Sequence, residues 1–243
     1  MSVRVRVIAL PSLLEPADLI GRTAVVFDVV RATTTIAAAL SAGAAGVQVY
    51  GSIDDAAEAA APVREKIVLA GERHCVAPPG FDLGNSPGDF DAERVGGRTI
   101  YLATTNGTVA LLASRTADVL LAGSLANASA TAAAVTAIGK PVTLVASGTQ
   151  GQVAMDDLLG CGAVLAGLPD AELENDTALL AHVAWDASKD DLPRALRRGA
   201  SGHHLMNANL LADIDACAAV DRFPVVCRVH DADGQLIVRR AGA

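Results

Sequence analysis

The residues of this chain that can do chemistry stand where apolar segments end. In VVFDVVRATTTIAAAL, a run of strand-forming residues is followed by Asp28, by Arg31, and by Thr33 and Thr34 at the start of an alanine-rich segment typical of a helix. A carboxylate is a preferred ligand of hard divalent cations, and a guanidinium matches the oxygens of phosphate or sulfonate. This stretch therefore predicts a site for a metal ion and an anionic group.

The same pattern recurs after four further strand-like segments. Glu72 follows KIVLAG, and Asp156 and Asp157 open the helix that comes after PVTLVAS. Similar polar residues after RTIYLAT and DVLLAG are Thr105, Asn106, Thr108 and Asn127. At any one position, helix capping is the commoner role for such residues. Because ligands bind beyond the carboxyl ends of strands in open α/β sheets, five such ends on the same sheet edge predict a shared pocket.

This combination of groups points to phosphate-ester chemistry. The carboxylates predicted to hold a metal are Asp28, Glu72, Asp156 and Asp157, since Mg²⁺ takes a few carboxylate oxygens and keeps several waters. The N–H groups around Thr33 and Thr34 and in TTNGT favour negative charge, as does Arg31. The spacing alone leaves the reaction open, because each feature by itself is non-specific.

Known phosphate-binding signatures are missing from the chain. It has no GxxxxGK[ST] P-loop, no GxGxxG after a strand, and no cysteine in a CxxxxxR loop. Asp28 ends a strand as in the phosphatases that form an aspartyl phosphate, but Val30 replaces their second aspartate, so that mechanism is not favoured. Asp28 as metal ligand or as nucleophile stays open. His74, His203 and His204 are further acid or base candidates, although structural or exposed roles are commoner for such histidines.

The elements that must position these residues are strands alternating with helices. Strands are predicted at 4–10, 23–29, 46–50, 66–71, 98–104, 118–123 and 141–147, and helices at 33–43, 54–64, 107–115, 127–138, 156–167, 174–187 and 202–219. This order indicates a mostly parallel sheet covered on both faces. Two strand-like runs around Asp233-Gly234 predict a C-terminal β-hairpin. A long Gly- and Pro-rich loop is expected at 72–97.

Composition narrows the class of protein. The 243 residues, 51% of them hydrophobic, are compatible with one α/β domain spanning 1–243. The formal net charge of −8 argues against a nucleic-acid partner. Every long apolar run is interrupted before it could span a bilayer, and the start lacks the apolar core of a signal peptide, so we expect a cytoplasmic protein. Four widely spaced cysteines fit neither a zinc site nor a disulfide scaffold.

Five segments together resemble the 2-phosphosulfolactate phosphatase family. They are VVFDVVRATTTIAAALSAGA, LAGERHCVAPPGFDLGNSPGDF, TTNGTVALL, GSLANASA and DDLLGCGAVLAGL, in family order over roughly residues 3–230. The resemblance implies a three-layer α/β/α fold with a mostly parallel mixed sheet, and a bound Mg²⁺. It also implies hydrolysis of (2R)-2-phospho-3-sulfolactate to 3-sulfolactate and phosphate in coenzyme M biosynthesis.

On this resemblance the candidate residues take roles. Asp28 is a metal ligand and Arg31 binds the anion, with Glu72 and one of Asp156 and Asp157 completing the metal site. The expected substrate-binding residues are Thr33, Thr34, Asn85, Ser86, Thr105, Asn106, Thr108 and Asn127. The family commonly has S-L-E-D where this chain has Ala154, Met155, Asp156 and Asp157, so Asp156 is one methylene shorter than the usual glutamate and would reach a metal only through water.

Two alternatives remain at this point. A phosphatase of the same fold can act on another small phosphorylated hydroxy acid, because fold transfers between relatives better than substrate does. A non-catalytic binder of phosphorylated or sulfonated metabolites is the second alternative, with the change at Asp156 as its sign. In either case the expected partner is a small anionic phosphoester, and the apolar, alanine-rich chain is compatible with a homodimer.

Overall fold

The computed structural model describes residues 2–242, which form an α/β protein with ten strands and ten α-helices. The strands are β1 (Arg4–Ile8), β2 (Thr23–Phe27), β3 (Gly46–Tyr50), β4 (Ile67–Gly71), β5 (Thr99–Ala103), β6 (Val119–Gly123), β7 (Val142–Ala146), β8 (Glu172–Leu173), β9 (Cys227–Ala232) and β10 (Gln235–Arg240). All seven predicted strand segments and the C-terminal hairpin are confirmed. The two-residue strand β8 was not predicted.

The helices mostly follow the strands that the sequence predicts. They are α1 (Ala32–Ser41), α2 (Ile53–Ala60), α3 (Ala92–Val95), α4 (Gly107–Ala113), α5 (Ala128–Ile138), α6 (Met155–Ala166), α7 (Asp176–Ser188), α8 (Leu192–Arg198), α9 (Ala200–Asn207) and α10 (Leu211–Ala218). The predicted loop at 72–97 is irregular apart from α3 and a 3₁₀ turn at Pro87–Asp89.

The single helix predicted at 202–219 is wrong. The chain there forms α9 and α10, separated at residues 208–210, where Asn209 has a φ of 59°. A residue in the left-handed region cannot continue a right-handed helix, so the helix ends here. The apolar periodicity of the sequence continues past this point and therefore predicted one helix. The preceding helix α8 was also missed, although the Asp191 side chain caps it and Pro193 stands in its first turn.

All ten strands belong to one sheet, in the order β4-β5-β3-β10-β9-β6-β2-β7-β1-β8. The first three strands in this order are parallel to one another, and so are the last five. Between them, the hairpin pairs antiparallel with β3 and with β6. Three antiparallel pairings in succession make the two parallel sets run in opposite directions. The expectation that all five polar strand ends share one edge of the sheet is therefore wrong.

The sheet curls around two helices, and this brings the two sets together. Helix α1 contacts β3 and β6, and α4 contacts β3 and β2, although four strand spacings separate β3 from β2. Strands lie about 5 Å apart and a helix with its side chains is about 10 Å across. Helix α4 can therefore contact both strands only across a concave face. The curl places the end of β5 beside the end of β2.

Both faces of the sheet are covered by helices. Along β2, Val25 and Phe27 pack in a core with residues of α5, α6 and α7, whereas Ala24 and Val26 pack with residues of α1 and α4. A strand buried on both faces reads as a continuous apolar run, as TAVVF does. The expected α/β class with helices on both sides of a mixed sheet is confirmed.

The hairpin turn has the geometry that its sequence predicts. Asp233 has a φ of 54° and Gly234 a φ of 92°, the pair of positive values that a two-residue type I′ turn requires. Within residues 2–242, no helix is long and apolar enough to cross a membrane.

Candidate active site

A cavity of about 540 Å³ lies where the loops after β2, β4, β5 and β7 meet helix α9. Asp28 and Arg31 come from the first loop, Glu72 from the second, Thr105 from the third and Thr149 from the fourth. The predicted shared pocket thus exists for four of the five polar strand ends. It forms through the curl of the sheet and not at a common edge.

Asp28 lies in the lining of this cavity and is almost fully buried. Its Oδ1 accepts a hydrogen bond from the N–H of Ala32 at 3.0 Å. The pKa of Asp28 is raised to about 7, chiefly by burial and also by the nearby charges of Asp156 and Glu72, while the N–H groups of Ala32 and Gly107 oppose the shift. A carboxylate in this setting either holds a proton or needs a cation beside it.

The packing around Gly107 explains why the TTNGT segment has a glycine at this position. A Cβ at this position would lie 2.7 Å from Asp28 Oδ2 and 2.8 Å from Asp28 Cβ, distances that real Cβ contacts do not show. The start of α4 therefore packs directly against Asp28, and only glycine leaves the room for it.

Asp156 and Asp157 lie beneath the cavity, in the first turn of α6, and neither is part of the lining. Asp156 accepts hydrogen bonds from Val30 N at 3.2 Å and from Ser201 Oγ at 2.9 Å. Burial raises the pKa of Asp156 to about 6. This carboxylate ties the loop after β2 to α9.

Asp157 makes the corresponding connection between β2 and β7. It accepts from Val29 N at 2.9 Å and, on its other oxygen, from Gly148 N at 2.8 Å and Ser147 Oγ at 3.1 Å. Burial raises the pKa of Asp157, and the charges of the neighbouring carboxylates Asp156 and Asp28 add to the shift. Both oxygens are thus used to position the backbone around Asp28.

Arg31 is buried and held by three partners. Its Nη1 donates to Asp213 Oδ2 at 2.6 Å and to Ser86 Oγ at 3.1 Å, and its Nη2 donates to the carbonyl of Cys75 at 3.0 Å. Ser86 Oγ also donates to Asp213 at 2.8 Å. The side chain is therefore fixed in position, with its charge largely compensated by Asp213. The peptide bond between Val30 and Arg31 is cis.

Glu72 also lines the cavity and is fixed by hydrogen bonds. Its Oε2 accepts from Cys75 N at 3.0 Å, and its Oε1 accepts from Thr105 N at 3.1 Å and from the Thr105 hydroxyl. These bonds join the loop after β4 to the loop after β5. Glu72 is close enough to Asp28 for its charge to raise the pKa of Asp28.

Asn85 has a polar atom with no partner among the described residues. The residue is only 4% exposed and lines the cavity, and its Oδ1 is buried without a hydrogen bond. Buried polar atoms are almost always paired, so this oxygen has an open acceptor site for a water or a ligand.

A family comparison covers almost all of this structure. The profile described as 2-phosphosulpholactate phosphatase matches residues 8–232. The chain belongs to the 2-phosphosulpholactate phosphatase family. A relative in Carboxydothermus hydrogenoformans is 34% identical over 240 residues, which is 97% of either chain. Another in Gloeobacter violaceus is 41% identical over 200 residues, 82% of this chain and 84% of the relative. Both relatives carry the name "Probable 2-phosphosulfolactate phosphatase".

In this member of the family, the predicted site residues divide into two groups. Those that line the cavity are Asp28, Arg31, Glu72, Asn85, Thr105 and Asn106. Those outside the lining are Thr33, Thr34, Ser86, Thr108, Asn127, Asp156 and Asp157. Their roles toward a metal or substrate stay predictions, and the contacts of the second group are those of residues that support the site.

The threonines and Asn127 illustrate this supporting function. Thr33 Oγ1 donates to the carbonyl of Asp28 at 2.8 Å, and Thr34 Oγ1 donates to the carbonyl of Val29 at 2.8 Å. Thr108 exchanges hydrogen bonds with Thr104 across the start of α4. Asn127 Oδ1 accepts from Ser124 N at 2.8 Å, away from the cavity. The threonine bonds fix the turns that carry Asp28 and Thr105, whereas the Asn127 bond fixes the turn after β6, which contributes no residue to the lining.

Most of the cavity wall formed by α9 was not predicted from the sequence. Ser201, His204 and Asn207 all line the cavity, and their spacing of three residues along a helix puts them on one face. That spacing was a usable signal, and it separates His204 from His203, which is not in the lining. Asp213 was missed as the partner of Arg31 because it lies 182 residues away in the chain.

Proposed function

We propose that this chain is a divalent-cation-dependent phosphatase that hydrolyses (2R)-2-phospho-3-sulfolactate to 3-sulfolactate and phosphate. Family membership over residues 8–232 and the names of its relatives support this reaction. The observation that carries it is Asp28, a buried carboxylate in the cavity lining whose pKa is raised to about 7 beside further carboxylates. The product would serve the synthesis of coenzyme M.

The residues at the cavity fit a hard divalent cation such as Mg²⁺. Asp28 and Glu72 line the cavity, and so does Asn85, whose buried Oδ1 has no partner among the described residues. Within residues 2–242, no three His, Cys, Asp or Glu side chains are grouped as ligands of one ion. Mg²⁺ needs no such cage, because it is usually held by one or two carboxylates together with waters and substrate phosphate oxygens.

The charges around the cavity give a second reason for a cation. The neighbouring charges that raise the pKa of Asp28 are those of two other carboxylates, Asp156 and Glu72. Arg31 is already compensated by Asp213. A substrate carrying phosphate, carboxylate and sulfonate would be repelled by this cluster, and a bound divalent cation would offset the repulsion and polarise the phosphoryl group.

Arg31 and the loop donors bind and orient the anion in this proposal. Of the five N–H donors of its guanidinium, three are used by Asp213, Ser86 and Cys75, and the other two have no partner among the described residues. Because the protein partners already fix the side chain, little entropy is lost when an anion binds. Asn85, Thr105 and Asn106 add polar groups to the same wall.

The test is phosphate release from 2-phosphosulfolactate, phospholactate and generic phosphoesters, each with Mg²⁺ and with EDTA. Asp28→Asn should abolish the metal-dependent release, whereas Asp170→Asn, at an exposed turn, should leave it unchanged. Full Mg²⁺-dependent turnover by Asp28→Asn would refute the assignment of Asp28 as a metal ligand. Equal phosphate release from phospholactate would support the phosphatase reaction but not the specificity for a sulfonated substrate. Binding of these esters without phosphate release would show a non-catalytic binding protein.

A further inference from the structure

Two arginines line the cavity, and their surroundings differ. Arg31 is buried and pairs with Asp213 at 2.6 Å. Arg73 is exposed and forms no ion pair with any side chain of residues 2–242. A guanidinium is permanently charged in proteins. Arg73 is therefore the cavity arginine whose charge no carboxylate of residues 2–242 offsets.

Arg73 stands on a tight turn that the site itself holds in place. Its N–H donates to Val76 O at 3.0 Å, and Val76 N donates back to Arg73 O at 3.2 Å. Between them, His74 has a φ of 54° and Cys75 a φ of 69°. Two successive non-glycine residues in the left-handed region are rare, and such a turn persists only where its surroundings stabilise it.

The contacts that stabilise this turn come from the candidate catalytic groups. Cys75 N donates to Glu72 Oε2 at 3.0 Å, and Cys75 O accepts from Arg31 Nη2 at 3.0 Å. The turn is thus fixed relative to Glu72 on one side and Arg31 on the other. The backbone of Arg73 is held at the wall of the cavity that Asp28, Glu72 and Arg31 also line, and not on a free loop.

The chemistry of the proposed substrate requires such a second positive group. The phosphoester must lie near Asp28, Glu72 and Arg31 to react. The sulfonate of the same molecule is the anion of a strong acid, with three oxygens that a guanidinium fork can engage. The sulfonate cannot also bind Arg31, whose charge Asp213 already offsets, without competing with the phosphate.

We propose that Arg73 binds the sulfonate group and sets the preference of this enzyme for sulfonated phosphoesters over their unsulfonated analogues. This assignment rests on the proposed function. Arg73 then acts as a specificity residue, since it binds a part of the substrate that does not react.

The experiment compares 2-phosphosulfolactate with phospholactate, which differs from it by the sulfonate alone. For Arg73→Gln, the KM for 2-phosphosulfolactate should rise about tenfold, the loss of one charge-assisted pair open to solvent, with kcat and the kinetics on phospholactate unchanged. Arg73→Lys keeps the charge and should recover part of the loss. Arg94→Gln, an exposed arginine on α3 outside the cavity lining, is the matched control.

Equal losses on both substrates, or no loss on either, would overturn the assignment to Arg73. Binding of 3-sulfolactate and of lactate, measured by calorimetry on the intact protein and on Arg73→Gln, separates the two proposals. If the wild-type protein hydrolyses neither ester but binds 3-sulfolactate more tightly than lactate, and Arg73→Gln loses that difference, the sulfonate site stands and the phosphatase proposal fails. No Arg73-dependent difference in hydrolysis or binding would refute the sulfonate site.

Discussion

Replacing Gly107 with alanine would place a methyl group between α4 and Asp28. The new Cβ would lie 2.7 Å from Ala32 Cβ and from Asp28 Oδ2, well inside the 3.4 Å at which ordinary contact begins. It would also lie 2.8 Å from Asp28 Cβ. A Cβ is bonded directly to the backbone and cannot rotate away, so the loop after β2 has to move and carry the Asp28 carboxylate with it.

Two effects on stability oppose each other in this variant. Alanine is favoured over glycine inside a helix by roughly 0.5–1 kcal/mol, whereas overpacking a filled site typically costs about 1–3 kcal/mol. Overpacking outweighs helix propensity here because two of the three close contacts are to Cβ atoms. We expect Gly107→Ala to lower the free energy of unfolding by about 1–2 kcal/mol. Since a displacement of about 1 Å at a reacting group can cost about 100-fold in rate, kcat should fall by that order.

Urea unfolding and phosphate release from 2-phosphosulfolactate with Mg²⁺ measure the two effects separately. Gly88→Ala is the matched control, because a Cβ on Gly88 meets nothing within 4 Å and its φ is not positive. An unchanged unfolding midpoint for Gly107→Ala would refute the tight packing of α4 on Asp28. A lowered midpoint with normal turnover would confirm the packing and refute the requirement for Asp28 at its position.

Two further predictions concern buried charges. In EDTA, Asp28→Asn should gain stability relative to wild type as pH rises from 3.8 toward about 7. In this range the folded wild-type protein holds a proton on Asp28 that the unfolded chain has released, so the wild type loses stability as pH rises. Equal pH dependence of urea unfolding in both proteins would contradict this. Asp213→Asn should lower the free energy of unfolding by about 3–5 kcal/mol, since it leaves Arg31 buried without its partner. The double variant Arg31→Met with Asp213→Leu should lose less, whereas Asp118→Asn, in an exposed pair with Lys140, should lose at most about 1 kcal/mol. A single variant Asp213→Asn as stable as wild type would show that the pair is not needed.

Local chemistry was readable from the sequence where neighbouring residues decide it. The continuous apolar run of β2 identifies a strand buried on both faces, because every position packs against a helix layer. Asp233 and Gly234 identify the hairpin turn, since few residues adopt a positive φ at low cost. Asp28 and Arg31, which were predicted to share a pocket, both line the cavity, because both follow directly from the end of β2.

Roles that depend on distant partners were not readable in the same way. The sequence shows Asp156 and Asp157 as equivalent candidates with Asp28, but their oxygens accept hydrogen bonds from backbone and hydroxyl groups under the cavity. It shows Arg31 as a free cation, whereas Asp213, 182 residues away, compensates its charge. Side-chain type predicts what a group can bind, and only burial and partners decide what it does bind.

The sequence by itself determined the α/β class, every strand except β8, the terminal hairpin and the polar residues that end β2, β4 and β5. Each of these depends on residues near one another in the chain. Only the tertiary structure decided that the hairpin enters the middle of the sheet and that the two parallel sets run in opposite directions. Pairing between distant strands leaves little local trace, since any strand edge offers the same backbone donors and acceptors. The curl around α1 and α4 then brought Glu72, Arg73 and Asp28 to one cavity.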